Sequence, residues 1–164
     1  MRTCYPCHHY ISMGHLLITL LFPALVVAES FEGRVVSITD GDTIRVMREG
    51  VSVPVRLFGI DSPGKKQPFS QVAKKITSDL AFSKTVTVEI KTTDRWKRLV
   101  AEIVLPDGRI LNHEILKAGG AWWFRQYCKD PEYERLEAAA RAAKVGIWRD
   151  PKPVEPWEWR KGQR

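Results

Sequence analysis

Residues 31–58, FEGRVVSITDGDTIRVMREGVSVPVRLF, decide how this chain folds. Their apolar side chains return mostly at every second position, the repeat of strands with one face buried and one face wet. The run is cut twice. Asp40-Gly41-Asp42 is a turn signal, and Arg48-Glu49-Gly50 is a short hairpin turn in which glycine takes a positive φ at low cost. Three strands result, over 31–39, 43–47 and 51–58, and the third carries Val51, Val53, Val55 and Leu57 on one face. Pro54 has no N–H to give to a ladder, so it belongs at an edge or a bulge.

Beyond Phe58 the period changes. Phe69, Val72, Ala73, Ile76 and Leu80 recur at helical spacing and predict an amphipathic helix of about four turns. Alternation resumes over 85–91 with Val86, Val88 and Ile90, continues over 99–105, and breaks at Pro106-Asp107-Gly108. Asn112 is expected to cap a short helix that stops at Gly119-Gly120. Asp130-Pro131 opens a last helix with Tyr133, Leu136, Ala140 and Ala143 on its buried face, and Gly146 ends it. The order is three strands, a helix, two strands and two helices. It predicts an α+β, mainly β chain, a five-stranded barrel of the oligonucleotide/oligosaccharide-binding (OB-fold) type with about three helices. An open α+β sheet fits the same order.

The length of 164 residues suits one domain, and 44% apolar with 27% charged residues is a globular composition. A net charge of +7 favours polyanionic partners. Residues 1–28 differ in kind: Arg2 is their one charge, and a charge-free run extends from Leu16 to Ala28. That run is shorter than the roughly 20 residues a spanning helix needs, and Val26-Val27-Ala28 suits a signal peptidase, so 1–28 read as a secretory signal peptide. An uncleaved anchor or an N-terminal core helix is the alternative, and Met13 is a second candidate start. The expected organisation is a leader over 1–28, one domain over 29–150, and a Pro/Trp/basic tail over 151–164 whose Trp157 and Trp159 pack on the body. The mature protein is expected to be secreted or periplasmic, monomeric and without stable membrane association. Cys4-Tyr5-Pro6-Cys7-His8 matches a haem-attachment pattern, but it precedes the apolar run and would not reach the exported side. Cys128 then has no partner for a disulfide within the mature chain.

Four fragments carry the chemistry: Asp40-Gly41-Asp42-Thr43, residues 56–63 from Arg56 to Pro63, Gln67-Pro68-Phe69, and Asp94-Arg95-Trp96-Lys97-Arg98. Each alone reads as ordinary structure. Together they place two carboxylates, Asp42 and Asp61, at strand ends where turns bring them together. Carboxylates with carbonyls and water are the ligands of a hard cation, and the absence of a His/Cys cluster argues against zinc. Arg56 and Arg98 supply guanidinium groups that clamp phosphate oxygens. For these roles Asp42 and Asp61 must lie within about 8 Å of each other, with both guanidinium groups facing them. Trp96, Trp122, Trp123, Phe124, Arg125 and Tyr127 interleave aromatics with cations as single-strand platforms do, although core packing competes and one of Trp122 and Trp123 is expected buried. His113 is expected at the surface or in a cap.

Asp42 stands 14 residues before Arg56 and Asp61 five after it, followed by Ser62-Pro63, Gln67-Pro68-Phe69, the 94–98 run and Gly146-Ile147-Trp148. In this order and spacing the chain resembles the staphylococcal nuclease family, from about residue 32 to residue 148. The resemblance implies that Asp42 and Asp61 are Ca²⁺ ligands, joined by the main-chain carbonyl of Ser62 where Thr is more familiar. It implies that Arg56 and Arg98 are the catalytic phosphate-contacting arginines. Arg95 and Trp96 fall where the family meets a terminal phosphate and sugar, and Arg125 and Tyr127 fall beside the base. The implied activity is cleavage of DNA and RNA to 3′-phosphates. One departure bears on catalysis: Gly64 stands where the family has its general-base Glu, and Lys65 and Lys66 are protonated near neutrality. Lys97 stands where Gly is usual. The expectation is a Ca²⁺-dependent nuclease slowed by the missing base; a nucleic-acid-binding module without catalysis is the alternative.

Overall fold

The computed structural model of the chain describes residues 29–162. In chain order these form β1 (Ser30–Asp40), β2 (Thr43–Arg48), β3 (Val51–Leu57), a two-residue β4 (Ile60–Asp61), α1 (Ser70–Ala81), β5 (Thr85–Thr93), β6 (Leu99–Val104), α2 (Leu111–Lys117), β7 (Trp122–Trp123), α3 (Pro131–Ala142), a 3-10 turn (Gly146–Arg149) and α4 (Pro156–Lys161). Residues 1–28, where a leader is expected, lie outside the described residues together with Cys4 and Cys7.

Five strands close a barrel in the order β1-β2-β3-β6-β5. All neighbours are antiparallel except β3 and β6, which run parallel because α1 and β5 intervene between them. Strand β1 serves two partners. Its first half, Ser30–Arg34, pairs with β5, and the stretch from Val35 to Asp40 pairs with β2 across two irregularities in register. Such bulges bend a strand and increase its twist, which lets one strand turn a barrel corner. The period-two pattern then fills the interior with Val35, Ile44, Val46, Val55, Leu57, Val86, Val88, Ala101 and Ile103, all at most 2% exposed. Pro54 faces Arg45 of β2, while β6 pairs only with Val55–Leu57, so the other edge of β3 at Pro54 asks for no N–H.

The helices depart from the sequence reading in particular residues. On α1 the face turned inward is Ala73, Thr77 and Ala81, with Ile76 and Leu80 against the core, whereas Val72 is exposed. Small residues on that face let the helix sit close to the barrel. Asn112 does not cap α2, whose N-cap is Ile110. It is fully buried inside the first turn, accepting the Ile103 N–H and donating to the carbonyls of Phe58 and Ala101. Three main-chain groups of the barrel end would otherwise lack these bonds, a stronger demand than the cap. Helix α3 begins as expected: Asp130 accepts the Glu132 N–H at 2.9 Å and Pro131 occupies the first turn. Its buried face is Tyr133, Leu136 and Ala140, and Ala143 is exposed as the C-cap. Gly119 and Gly146, both at positive φ, pass each other so closely that a Cβ on Gly119 would lie 2.4 Å from the Val145 carbonyl oxygen.

The tail is not a plain extension. Pro156 is buried and opens α4, and Trp157 packs against a second cluster formed by Trp122, Ala140, Ile147 and Trp148. Among the described residues there are thus four α-helices, and none is long and apolar enough to cross a membrane. Among the described residues Cys128 is free, and it is buried.

Candidate active site

Asp42 is fixed from three sides. The Asp40-Gly41-Asp42 turn joins β1 to β2, the Asp42 carbonyl accepts the Leu57 N–H at 2.8 Å, and Thr77 of α1 donates to the Gly41 carbonyl at 2.6 Å. The carboxylate accepts the Thr43 hydroxyl and the main-chain N–H of Ser62. Asp61 comes from β4, which pairs with β7 so that Asp61 stands opposite Trp122. Asp42 and Asp61 are 3% and 2% exposed.

Arg56 joins them. It is the penultimate residue of β3, and its Nη2 donates to Asp61 Oδ1 at 2.8 Å and to the Ile60 carbonyl at 3.1 Å, while its Nη1 meets Asp42 Oδ1. The two acids lie across the width of one guanidinium. Burial pulls the Arg56 pKa below its ordinary value; the charge and hydrogen bond of Asp61 and the charge of Asp40 oppose that, and Arg98 adds to the lowering. An arginine guanidinium is not deprotonated in proteins, so Arg56 remains the cation between the two acids.

Arg98 is placed differently. In the loop from β5 to β6, Asp94 accepts the main-chain N–H groups of Trp96 and Arg98 and, at 2.7 Å, the Arg98 Nε. Its carboxyl is held below the usual range: burial alone would raise it, and these bonds with the Arg98 charge outweigh burial. Arg98 therefore faces Asp94 and is felt by Arg56 only as a nearby charge; of the two guanidinium groups expected to face the acids, that of Arg56 does and that of Arg98 does not, because an acid in its own turn holds it. Lys97 sits in the same turn at φ 62°, a conformation glycine adopts without strain, which accounts for Gly at this place in the resemblance. Arg95 lies over the Trp96 ring at 4.1 Å, and Trp96 is 61% exposed.

On the loop after β7, Tyr127 is exposed and its ring lies 4.7 Å from that of Phe124. Phe124 in turn stacks on Trp157 at 5.5 Å, and exposed Arg125 lies 5.9 Å from the Trp157 ring centre. Of the two adjacent tryptophans, Trp122 is buried and Trp123 is half-buried, as expected. His113 is not the cap, which is Ile110, and it is half-buried rather than freely exposed. Its ring meets Tyr133 edge-on at 4.7 Å, and its Nε2 is buried without a hydrogen-bond partner among the described residues.

Gly64 has ordinary φ, and a Cβ built on it meets nothing within 4 Å. Its N–H donates to the Gln67 side chain, and its carbonyl accepts the Gln67 N–H. Beside it opens a cleft of about 340 Å³ lined by Asp40, Pro63, Lys65, Lys66 and Lys74 among others. One site residue was not legible in the sequence. Arg160 of α4 reaches back to donate to Asp61 Oδ2 at 2.6 Å, with its second nitrogen 3.4 Å from Oδ1.

Asp42 and Asp61 offer buried carboxylate oxygens, the donor type of a hard cation, and here these oxygens are taken by Arg56, Arg160 and the Ser62 N–H. No group of three or more His, Cys, Asp or Glu residues gathers as a metal site among the described residues, so remaining ligands would have to be carbonyls, water or substrate.

A closed five-stranded mixed barrel with helices packed on it is the OB-type barrel of the staphylococcal nucleases. The chain belongs to that family: the profile described as staphylococcal nuclease homologue matches residues 54–150. That span holds Arg56, Asp61, Gly64 and Arg98, with Asp42 before it and α4 after it. An uncharacterized endonuclease of Escherichia coli O157:H7 is 40% identical over 144 residues, 88% of this chain and 94% of its own length. A similarly described endonuclease of Haemophilus influenzae is 41% identical over 132 residues, covering 80% of this chain and 74% of that protein. A micrococcal nuclease of Shigella flexneri is 36% identical over 144 residues, covering 82% and 83% respectively.

Proposed function

We propose that the protein is an exported, Ca²⁺-dependent nuclease that hydrolyses phosphodiester bonds of DNA or RNA, slowed near neutral pH by Gly64. One observation carries the reading: Asp42 and Asp61, both buried, share the guanidinium of Arg56. Two acids in the interior are a poor way to stabilise a fold and a good way to hold a cation against a substrate anion.

In this reading Asp42, Asp61 and the Ser62 carbonyl would hold Ca²⁺. The chemistry such an ion would supply is Lewis-acid polarisation of a phosphate oxygen. Arg56, released from part of its carboxylate pairing, and Arg98, swung from Asp94, bind the phosphate oxygens and orient the group for in-line attack. Arg95 and Trp96 contact a neighbouring phosphate and sugar, and Arg125 and Tyr127 contact a base; single strands suit these platforms. No carboxylate at position 64 takes the proton of water. Attack then falls to hydroxide from solvent, whose oxygen forms the new bond to phosphorus as the bond to the leaving oxygen breaks. The rate rises with pH. The leader over 1–28 favours secretion or a periplasm.

The second reading, a binding module without turnover, is favoured by Gly64 together with the closure of Arg56 and Arg160 on the acids. A cleavage assay of the purified protein on single-stranded DNA and RNA, with Ca²⁺ and with chelator, at pH 7 and at pH 9–10, separates the two. The nuclease reading expects chelator-sensitive cleavage that climbs with pH. Binding strengthened by Ca²⁺, with no cleavage above background even at pH 9–10, would establish the binding module instead.

A further inference from the structure

We infer that Arg160 is a third phosphate-binding arginine of this site, so that the C-terminal helix forms one wall of the nucleic-acid groove; the inference rests on the nuclease reading above. Asp61 is the common point. Its Oδ1 accepts Arg56 at 2.8 Å and its Oδ2 accepts Arg160 at 2.6 Å. Two guanidinium groups that flank one carboxylate flank the same space, and a phosphate that Arg56 reaches lies within reach of Arg160.

The delivery of Arg160 is built into the fold. Its helix is seated by buried Pro156, by the Gln67 side-chain amide donating to the Val154 carbonyl at 2.7 Å, and by Trp157 lying parallel to Phe124, 8° between the rings. Gln67 also accepts the Gly64 N–H, so the tail and the loop beside the acids share one anchor. The two arginines differ in exposure. The Arg56 side chain is 17% exposed and committed to both acids, whereas that of Arg160 is 49% exposed. Arg160 can leave Asp61 with its own charge still in water, while Asp61 keeps the buried Arg56 as its partner. A cation held by Asp61 would compete with Arg160 for that carboxylate, and the released guanidinium has a planar fork of N–H groups that suits phosphate. Trp157, one turn before it, continues the Tyr127–Phe124 row with Arg125 above, so the same wall carries both stacking rings and cations.

The test is the affinity of the purified protein for a fluorescent, phosphorothioate-linked single-stranded oligonucleotide in Ca²⁺, read by anisotropy across a salt series. Arg160→Ala is expected to weaken binding about tenfold and to lower the salt slope by about one. Arg160→Lys keeps a cation on the same helix and is expected to keep the slope. Arg56→Ala is the control for the site itself. If Arg160→Ala binds as the wild type with an unchanged slope, or binds more tightly, while Arg56→Ala binds poorly, Arg160 is a clasp on the tail and the inference is overturned with the nuclease reading intact. If the wild type does not bind the oligonucleotide, both fall together. Should Arg160→Ala unseat α4, seen as a shift in tryptophan emission, the lysine variant decides: loss of the slope despite retained charge would also overturn the phosphate role.

Discussion

Thr77 donates its hydroxyl to the carbonyl of Gly41 at 2.6 Å, in the interior and across 36 residues of sequence. This bond fastens α1 to the turn that carries Asp42. The turn has little freedom elsewhere: a Cβ on Gly41 would lie 2.8 Å from the Cβ atoms of both Ala73 and Ser62. The position of one acid is thus set by a helix on one side and by the loop of the other acid on the other.

Thr77→Val keeps the shape of the side chain and leaves the Gly41 carbonyl buried without its partner. The expected loss is about 1–3 kcal/mol of stability, read as a lower urea midpoint with an unchanged slope. Thr77→Ser retains the hydroxyl and should recover most of it. A Thr77→Val protein as stable as the wild type would show that the bond does not hold the turn.

Arg56→Gln removes the charge between two buried acids. Without divalent cations the variant is expected to lose about 3–5 kcal/mol, and added Ca²⁺ should restore a large part by taking the vacated place. The wild type should gain less from Ca²⁺, because there the ion displaces an existing cation. Denaturation midpoints of both proteins, with Ca²⁺ and with chelator, give the comparison; equal gains would argue that the acids do not bind the ion.

The barrel was legible because a strand writes its buried face into alternate residues, and 31–58 do so through three strands. The helices were less legible at single positions. Val72 fits the helical repeat as well as Thr77 does, yet Thr77 is buried because it meets a main-chain carbonyl of the barrel, which no local pattern reports. Asn112 looked like a cap for the same reason: its three barrel partners lie between 9 and 54 residues away. In the candidate site, Asp42, Arg56 and Asp61 are close enough in sequence for spacing to suggest that they meet. Arg160 is 99 residues from Asp61, in a tail whose helix and docking left no periodic signal. That Arg98 faces Asp94 follows from an acid four residues earlier in its own turn.

Glu102 gives the fold an acid-sensitive point. Burial by itself would raise its pKa, but hydrogen bonds from Lys91 and Tyr133, with the charges of Lys91 and His113, outweigh burial and bring it below the usual 4.5. Tyr133 donates to Glu102 Oε1 at 2.6 Å, and Lys91 lies 2.9 Å from Oε2. A carboxyl whose folded pKa is lowered stabilises the fold in full above its unfolded value, and that contribution is lost as pH falls through the folded value. Glu102→Gln should therefore melt below the wild type at pH 7, with the gap narrowing as pH drops below about 4.5. A gap independent of pH would mean that the charge of Glu102 contributes nothing.

Gly64→Glu should convert the loop into one with a general base. The backbone accepts the side chain, since φ at Gly64 is not positive and a Cβ there meets nothing within 4 Å. Positioned bases are worth about 10²–10⁴-fold, and the expected gain in kcat at pH 7 lies toward the lower end. Lys65, Lys66 and Lys74 line the adjoining cleft, and nearby ammonium groups both attract a carboxylate away from water and lower its basicity. Replacing Lys66 as well, in Gly64→Glu/Lys66→Ala, should raise the rate further. The gain should shrink toward pH 10, where solvent hydroxide no longer needs help. Initial rates of cleavage with Ca²⁺ at both pH values measure this, and a wild-type rate at pH 7 in a folded Gly64→Glu protein would mean that proton removal is not what limits this site.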